Sequence, residues 1–174
     1  MTIFSIVTFP DPVLSKRAKD IDVVDGEVKK LMEDMLETMY SAPGVGLAAP
    51  QVGVDKRIIV IDAGGEEKRE PIFLANPEIV SCDGEIIFEE GCLSLPEFRE
   101  KIKRKEKVCV KGINENGEET VHEAEGLLAV VFQHEIDHLD GILLINRASA
   151  LKRSIYKRRV KKGQIKKDDD NGEP

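Results

Sequence analysis

The sequence predicts an α+β fold in which antiparallel β-sheets pack around a buried helix, with a basic helix at the C-terminal end. Three observations support this prediction. Residues 57–126 contain short β-branched segments separated by turn residues, which is typical of antiparallel strands. Residues 127–139, LLAVVFQHEIDHL, are apolar nearly all round until the histidines, which is typical of a buried helix. Nine lysines and arginines fall within the last 24 residues.

The individual elements follow from local signals along the chain. Asp11 and Pro12 suit the N-cap and first turn of a short helix. Apolar residues recur at helical spacing over 26–42, and Pro43 and Gly44 end that longer helix. Strands are expected at 57–63, 71–80, 85–90, 107–113 and 118–126, with turn signals at Gly64-Gly65, Asn76-Pro77, Asp83-Gly84 and Asn116-Gly117.

The C-terminal region differs in charge from the rest of the chain. Residues 1–150 carry 17 Lys or Arg and 29 Asp or Glu, a net of −12, whereas residues 151–174 carry nine and four, a net of +5. We therefore expect a single domain over 1–150, followed by a basic helix and a disordered tail over 151–174. That helix, at about 149–162, would bury a thin apolar stripe of Leu151, Ile155 and Tyr156.

Composition also excludes several classes of protein. The acidic body argues against binding to DNA, whereas the basic end could contact RNA or an acidic surface, or could simply be solvated. No apolar run approaches the roughly 18–20 residues of a membrane span, and the start, MTIFSIVTFPDP, lacks an export signal. A cytoplasmic protein without membrane contact is expected. Its three cysteines are odd in number and irregularly spaced, which argues against a disulfide framework.

The segment QHEIDH, residues 133–138, indicates a metal site on the buried helix. His134 and His138 are separated by four residues, so both imidazoles can reach one ion from a single helix face. Glu135 lies beside them, where its carboxylate could take a proton from a metal-bound water. The alternative is a pair of satisfied core histidines. Burial favours the metal site, because Glu135 and Asp137 would be costly in a helix interior without partners.

A catalytic site of this kind needs a third protein ligand, and residues after the helix do not supply one. Leu144 stands where a third histidine would fall, and Asp140 is too close to His138 to aim at the same ion. The third ligand should therefore lie upstream. The candidates are Cys92, Cys82, Cys109, His122, Glu89 and Glu90.

Cys92 is preferred among these candidates because of its surroundings. The stretch EEGCLSLPEFR interrupts the strand pattern at Gly91 and places acids and an arginine around the thiol. Cys109 alternates inside a strand, where packing as a small hydrophobe is the simpler interpretation. Cys82 falls in a turn, and His122 lies in a polar run.

Three segments taken together resemble the peptide deformylase family. They are GVGLAAPQ (44–51), EGCLS (90–94) and QHEIDH (133–138), in the family's order. The resemblance extends from the N-terminal FPDPVL region to the last helix. It implies a metal-dependent hydrolase that removes the formyl group from the N-terminal methionine of newly synthesised polypeptides and releases formate.

The resemblance also implies roles for residues of the site. Cys92, His134 and His138 match the three metal ligands, with water in the fourth position. The ion is one divalent metal, naturally Fe²⁺ in this family, with Zn²⁺ or Ni²⁺ also accepted. Glu135 matches the general acid and base. Gln51 and the backbone N–H of Leu93 match the groups that hold the formyl oxygen.

Other residues match positions that bind substrate or orient the ligands. Substrate contacts are implied for Val45, Gly46, Gly91, Leu127, Val130 and Val131. Gly44 and Gly46 would let a bound peptide lie close to the backbone, although an ordinary turn would also explain them. The four apolar residues would line the methionine pocket, although each could equally be plain core. Glu90, Arg99, Arg104 and Asp137 are candidates for orienting the ligands, unless the arginines are simply solvated.

The expected partners are N-formylmethionyl nascent peptides and, through the basic C-terminal helix, the ribosome. Deletion of 151–174 is expected to spare peptide turnover. Two other functions fit parts of the sequence. One is a zinc endopeptidase built on the same helix motif, which the missing downstream ligand argues against. The other is an RNA-binding module in which a metal held by four protein ligands only stabilises the fold.

Overall fold

The computed structural model describes residues 1–165. Its helices are α1 (Gly26–Ser41), α2 (Leu127–Leu139), α3 (Leu144–Arg147) and α4 (Ala150–Lys161). Its strands are β1 (Gly46–Ala48), β2 (Ile58–Ile61), β3 (Ile72–Asp83), β4 (Ile86–Cys92), β5 (Leu95–Arg104), β6 (Lys107–Ile113) and β7 (Glu119–Glu125). Single 3-10 turns lie at Pro12–Ser15 and Ala49–Val52. The α+β class is confirmed, and no helix within these residues is long and apolar enough to span a membrane.

Every strand pair in the two sheets is antiparallel. One sheet has the order β1-β2-β3-β6-β7, and β4 and β5 form a separate hairpin. Side chains alternate along β2, so Ile59 and Ile61 pack with α2 while Ile58 and Val60 pack with the methionines of α1. Strand β2 is therefore buried on both of its faces. Each fully buried Ile contributes about 1.5–3 kcal/mol by leaving water.

A third core cluster joins the hairpin to the C-terminal helices. Leu95, Phe98 and Ile102 of β5 pack against α3, against Tyr156 of α4 and against Leu14 near the N-terminus. Cys92 is partly buried against the same cluster. The hairpin that carries Cys92 is therefore supported by the last helix of the described chain.

Several predicted elements match the structure and several do not. Helix α2 has the predicted limits, and Asn116-Gly117 does form the turn between β6 and β7. Asn76-Pro77 is not a turn, because β3 passes through it at a bulge where the Asn76 side chain hydrogen-bonds both backbone groups of Ile21. Strands β1 and β5 were not predicted. In β5 the apolar alternation is hard to recognise in the sequence because two of the inward-facing positions carry charged residues, Glu100 and Arg104.

Helix α4 lies where a basic helix was predicted, but its buried face is different. Leu151 is 71% exposed and Ile155 is 47% exposed, so the prediction that they form the buried stripe is wrong. Tyr156 is the buried residue, with Val160 one turn further on packed partly against the same cluster. The division at residue 150 stays a prediction, and the predicted disordered end at 166–174 lies outside the described residues.

Candidate active site

Cys92, His134 and His138 form a compact group of possible metal ligands. Their ligand atoms all lie within 4.8 Å of one another, and Cys92 Sγ is 3.2 Å from His138 Nε2. The two histidines share one face of α2, as their spacing predicts. The centroids of their rings are 5.0 Å apart. Cys92 reaches them from the end of β4. Within residues 1–165 this is the only such group of three potential ligands.

Glu90 is hydrogen-bonded to both His134 and Arg104. The His134 Nδ1–H donates to Glu90 Oε1 at 2.9 Å, which leaves Nε2 free to face Cys92 and His138. Both oxygens of Glu90 also accept hydrogen bonds from the buried guanidinium of Arg104, each at 2.9 Å. Glu90 thus contacts His134 and Arg104 and is not part of the group of three possible ligands, and its role in orienting them stays a prediction. Burial lowers the pKa of His134, but hydrogen bonds to Cys92 and Glu90 outweigh it, and the pKa lies well above its ordinary value.

Two further charges complete this network. Arg104 Nη1 donates to Asp137 Oδ2 at 2.6 Å, and Arg147 of α3 holds the same carboxylate through Nε and Nη2. The positive charges of Arg104 and Arg147 thus balance the negative charges of Glu90 and Asp137 beside the possible ligands. Arg104 and Asp137 lie where the sequence predicted orienting residues, but Arg147 was missed. No local pattern links it to Asp137, because helix α3 brings the two together only in the folded chain.

Glu135 is buried against the backbone of β1. Burial raises the pKa of Glu135 to about 7, while the positive charges of His134 and Arg104 oppose that rise. Its Oε2 has no hydrogen-bond partner within the described chain. A Cβ at Gly46 would lie 2.6 Å from Glu135 Oε1 and 2.8 Å from Val131. A larger residue at position 46 would therefore displace Glu135 or Val131, whatever role Gly46 has toward a substrate.

The side chain of Gln51 is aimed at Cys92. Its Oε1 accepts the backbone N–H of Ala48 at 2.9 Å, so its NH₂ group points the other way. That group lies 3.7 Å from Cys92 Sγ and 3.3 Å from Ser94 Oγ. Ser94 is fully buried in the turn that also carries Leu93. Gln51 therefore presents a fixed donor beside the candidate metal site.

A cavity of about 450 Å³ opens onto these residues. Gly44, Gln51, Cys92, Leu93, His134 and Glu135 line it, as do all six residues predicted to contact substrate: Val45, Gly46, Gly91, Leu127, Val130 and Val131. Val130 and Val131 are buried, whereas Val45 and Leu127 are 45% and 40% exposed. Phe88 and Phe98 also line the cavity and were not predicted. The structure brings these residues together, and their roles toward a substrate stay predictions.

The remaining candidates lie apart from the cluster. Cys82 is exposed, and His122 lies on β7 with its ring near Phe132. Cys109 is only half-buried and faces away from the core residues of β6, so packing as a core hydrophobe is wrong for it. Glu89 is exposed at the cavity wall. Arg99 is also exposed there, beside Gly91, and forms none of the contacts that orient the ligands.

The donors fit one metal ion. One thiolate and two imidazoles suit a borderline divalent ion, and the buried acceptors that raise the pKa of His134 favour a cation at this position. Structural zinc sites have four protein ligands, whereas catalytic sites keep one position open. Within the described residues the cluster offers three ligands and faces a cavity. The arrangement is therefore that of a catalytic centre.

Three protein ligands, an adjoining cavity and a buried carboxyl group beside them define the class of mononuclear metallohydrolases. A profile of the family described as polypeptide deformylase matches residues 3–154. The peptide deformylase of Thermodesulfovibrio yellowstonii is 54% identical over 162 residues, which are 92% of this chain and 98% of that protein. The chain belongs to the polypeptide deformylase family.

Solved structures agree with this assignment. The chain is similar to a peptide deformylase from Legionella pneumophila, with 47% identity, a TM-score of 0.87 and coverage of 94% of this chain and 96% of that one. It is also similar to the peptide deformylase from Ehrlichia chaffeensis in complex with actinonin, with 40% identity, a TM-score of 0.87 and coverage of 94% and 99%. The resemblance inferred from the three sequence segments is confirmed.

Proposed function

We propose that the protein is a peptide deformylase that removes the formyl group from the N-terminal methionine of newly synthesised polypeptides and releases formate. The observation that carries this proposal is the convergence of Cys92, His134 and His138 at the wall of a cavity, with Glu135 buried beside them. Acting on nascent chains, the enzyme would work in the cytoplasm, where translation takes place.

The residues around the cluster support a division of labour in formyl hydrolysis. A divalent ion held by Cys92, His134 and His138 would polarise the formyl carbonyl and make a water molecule more acidic. Glu135 takes the proton of the attacking water and passes it to the leaving amine. Its pKa of about 7 suits both transfers near neutral pH. Gln51 Nε2 and the Leu93 N–H donate to the formyl oxygen as negative charge develops there.

The cavity supports recognition of the first methionine. Val45, Leu127, Val130 and Val131 supply an apolar wall next to the ligands, into which an unbranched thioether side chain could pack. Gly44 and Gly46 also line the cavity, and Gly46 begins β1, the edge strand of the large sheet, where a bound peptide could pair with the backbone. We propose that the four apolar residues, the two glycines and Gly91 together form the substrate site.

The test of function is formate release from formyl-Met-Ala-Ser by protein purified without oxygen. We expect formate in amounts equal to the free Met-Ala-Ser produced, and no cleavage of internal bonds in unformylated peptides. Cleavage of internal bonds would favour the hypothesis of a zinc endopeptidase. The match of three sequence segments and the upstream position of the cysteine argue against that hypothesis. Absence of any formate from metal-loaded protein would contradict the proposal.

We propose Fe²⁺ as the natural ion, with Zn²⁺ or Ni²⁺ able to replace it. The family resemblance supports iron, and the thiolate with two imidazoles is compatible with each of these ions. The metal content of protein purified without oxygen from cells grown on unsupplemented medium decides the identity. Iron below that of zinc in such protein would count against this choice.

The basic surface of α4 supports a second proposal, that the enzyme docks on the ribosome through this helix. Four cations of α4 and its C-cap are exposed and pair with no acid in the described chain: Lys157, Arg158, Lys161 and Lys162. Their replacement by Glu is expected to weaken ribosome co-sedimentation more than about tenfold at roughly 0.1 M salt, because contacts with phosphates depend on such charges.

The control for docking is an equal charge reversal elsewhere on the surface. Lys56, Lys68, Lys107 and Lys111 are exposed and lie outside α4. Their replacement by Glu should leave co-sedimentation closer to the parent protein. Equal losses from both sets of variants would mean that net charge, and not α4, governs the association.

A further inference from the structure

The turn between β4 and β5 carries two of the groups on which the proposed reaction depends. Cys92 ends β4, Leu93 and Ser94 make the turn, and Leu95 pairs with Cys92 across it. Ser94 is fixed twice, since its carbonyl accepts the N–H of Phe9 at 2.9 Å and its hydroxyl accepts from Gln51 at 3.3 Å. The far end of the turn, at Pro96, has a different support.

That support comes from helix α4. The hydroxyl of Tyr156 donates to the carbonyl of Pro96 at 2.9 Å, and both groups are buried. The peptide it holds precedes Glu97, whose φ of 61° is unfavourable for a residue other than glycine. A hydrogen bond at the Pro96 oxygen fixes the orientation of this peptide. It therefore helps to hold the strained backbone that follows the turn.

The ring of Tyr156 is buried against two other aromatic rings. It is 3% exposed, with its centroid 5.1 Å from the Phe98 ring in an edge-on contact and 6.3 Å from the Phe9 ring. Burial, and then the nearby charge of Cys92, raises the pKa of Tyr156 to about 12. The hydroxyl thus remains a donor at neutral pH.

Two ion pairs place the same face of α4 against β5. Lys152 lies one turn before Tyr156 and pairs with Glu100 at 2.5 Å, and Arg159 lies one turn after it and approaches Glu97 at 3.7 Å. Both pairs are partly exposed, so they add little to stability by themselves. They do show that α4 is seated along β5 over two turns, with Tyr156 at the centre.

We propose that Tyr156 is a positioning residue for the metal-binding turn, acting through the Pro96 carbonyl to keep Cys92 and the Leu93 N–H in place. The functional unit then extends beyond residue 150, and α4 supports the active site in addition to any docking role. This inference rests on the proposed function. It also gives a reason to expect that deletion of 151–174 impairs turnover, contrary to the expectation from sequence.

The test compares Tyr156→Phe with Ser154→Ala, an exposed position on the same helix. The phenylalanine keeps the ring and removes only the hydroxyl. We expect kcat for formyl-Met-Ala-Ser to fall about tenfold with KM little changed, and Co²⁺ to leave the protein about tenfold faster in excess chelator. The thiolate-to-cobalt absorption band should shift as well. Ser154→Ala should match the parent protein in all three measurements.

Rates are measured below the Tm of each variant, so that unfolding does not enter the comparison. If Tyr156→Phe matches the parent protein in kcat, cobalt loss and absorption band, the inference is wrong. Equal defects in Tyr156→Phe and Ser154→Ala would also overturn it, because any change in α4 would then act alike. A failure of the proposed function can be distinguished from a failure of this inference, because in that case the parent protein itself would release no formate.

Discussion

Replacement of Glu135 by glutamine is expected to lower kcat/KM for formyl-Met-Ala-Ser about a thousandfold, because the site loses its only proposed proton carrier. Glutamine has nearly the same shape, so the close contact with Gly46 remains possible. The amide cannot accept the proton of an attacking water. The loss should therefore fall on kcat, with little change in KM, when initial rates are measured over a range of peptide concentrations.

Metal content distinguishes this loss of chemistry from a loss of the site. Glu135 is not one of the three grouped ligands, so Glu135→Gln should bind the same amount of metal per chain as the parent protein. A variant that keeps its metal and retains more than about a tenth of the parent kcat would contradict the proton-transfer role. In that case another group would have to carry the proton.

Replacement of Cys92 by alanine is expected to abolish stable metal binding and, with it, formate release. Changes to groups that merely orient ligands cost about 10–100-fold in metal affinity, so loss of a ligand itself should cost more than about a hundredfold. The thiol is also the acceptor for the Gln51 amide and lies beside His138, so its removal loosens both neighbours. Competition with a chelator of known affinity measures the change.

Cys109→Ala is the matched control for this experiment. Cys109 is a free, half-buried cysteine on β6, outside the ligand cluster. Its replacement should leave metal affinity and kcat/KM within about twofold of the parent protein, since the change lies outside the ligand shell. Retention of one tightly held metal by Cys92→Ala would mean that the third ligand is another group.

The parts of this structure that could be predicted depend on local pattern. Helix α2 was predicted with its true limits because its apolar residues and the two histidines fall within one uninterrupted segment. Cys92 was preferred as a ligand because the residues around it break the strand pattern. The resemblance to the family then agreed with that preference. In the structure β4 continues through Gly91 to Cys92, so the predicted break at Gly91 was wrong although the preferred residue does lie in the ligand cluster.

The parts that could not be predicted depend on contacts between distant segments. Arg147 reaches Asp137, and Tyr156 reaches Pro96 sixty residues away, only because the third core cluster brings α3 and α4 onto the hairpin. The buried face of α4 was misassigned for the same reason. Leu151 and Ile155 are more apolar than Tyr156, but the helix is oriented by its partners on β5.

Titration of metal-free protein with Fe²⁺ under anaerobic conditions, followed by formate release from formyl-Met-Ala-Ser, tests most directly whether one ion at Cys92, His134 and His138 drives the reaction. We predict that activity rises linearly with added metal and stops rising at one equivalent per chain. Activity in fully metal-free protein, or a rise that continues to two equivalents, would contradict a single metal centre at these three residues.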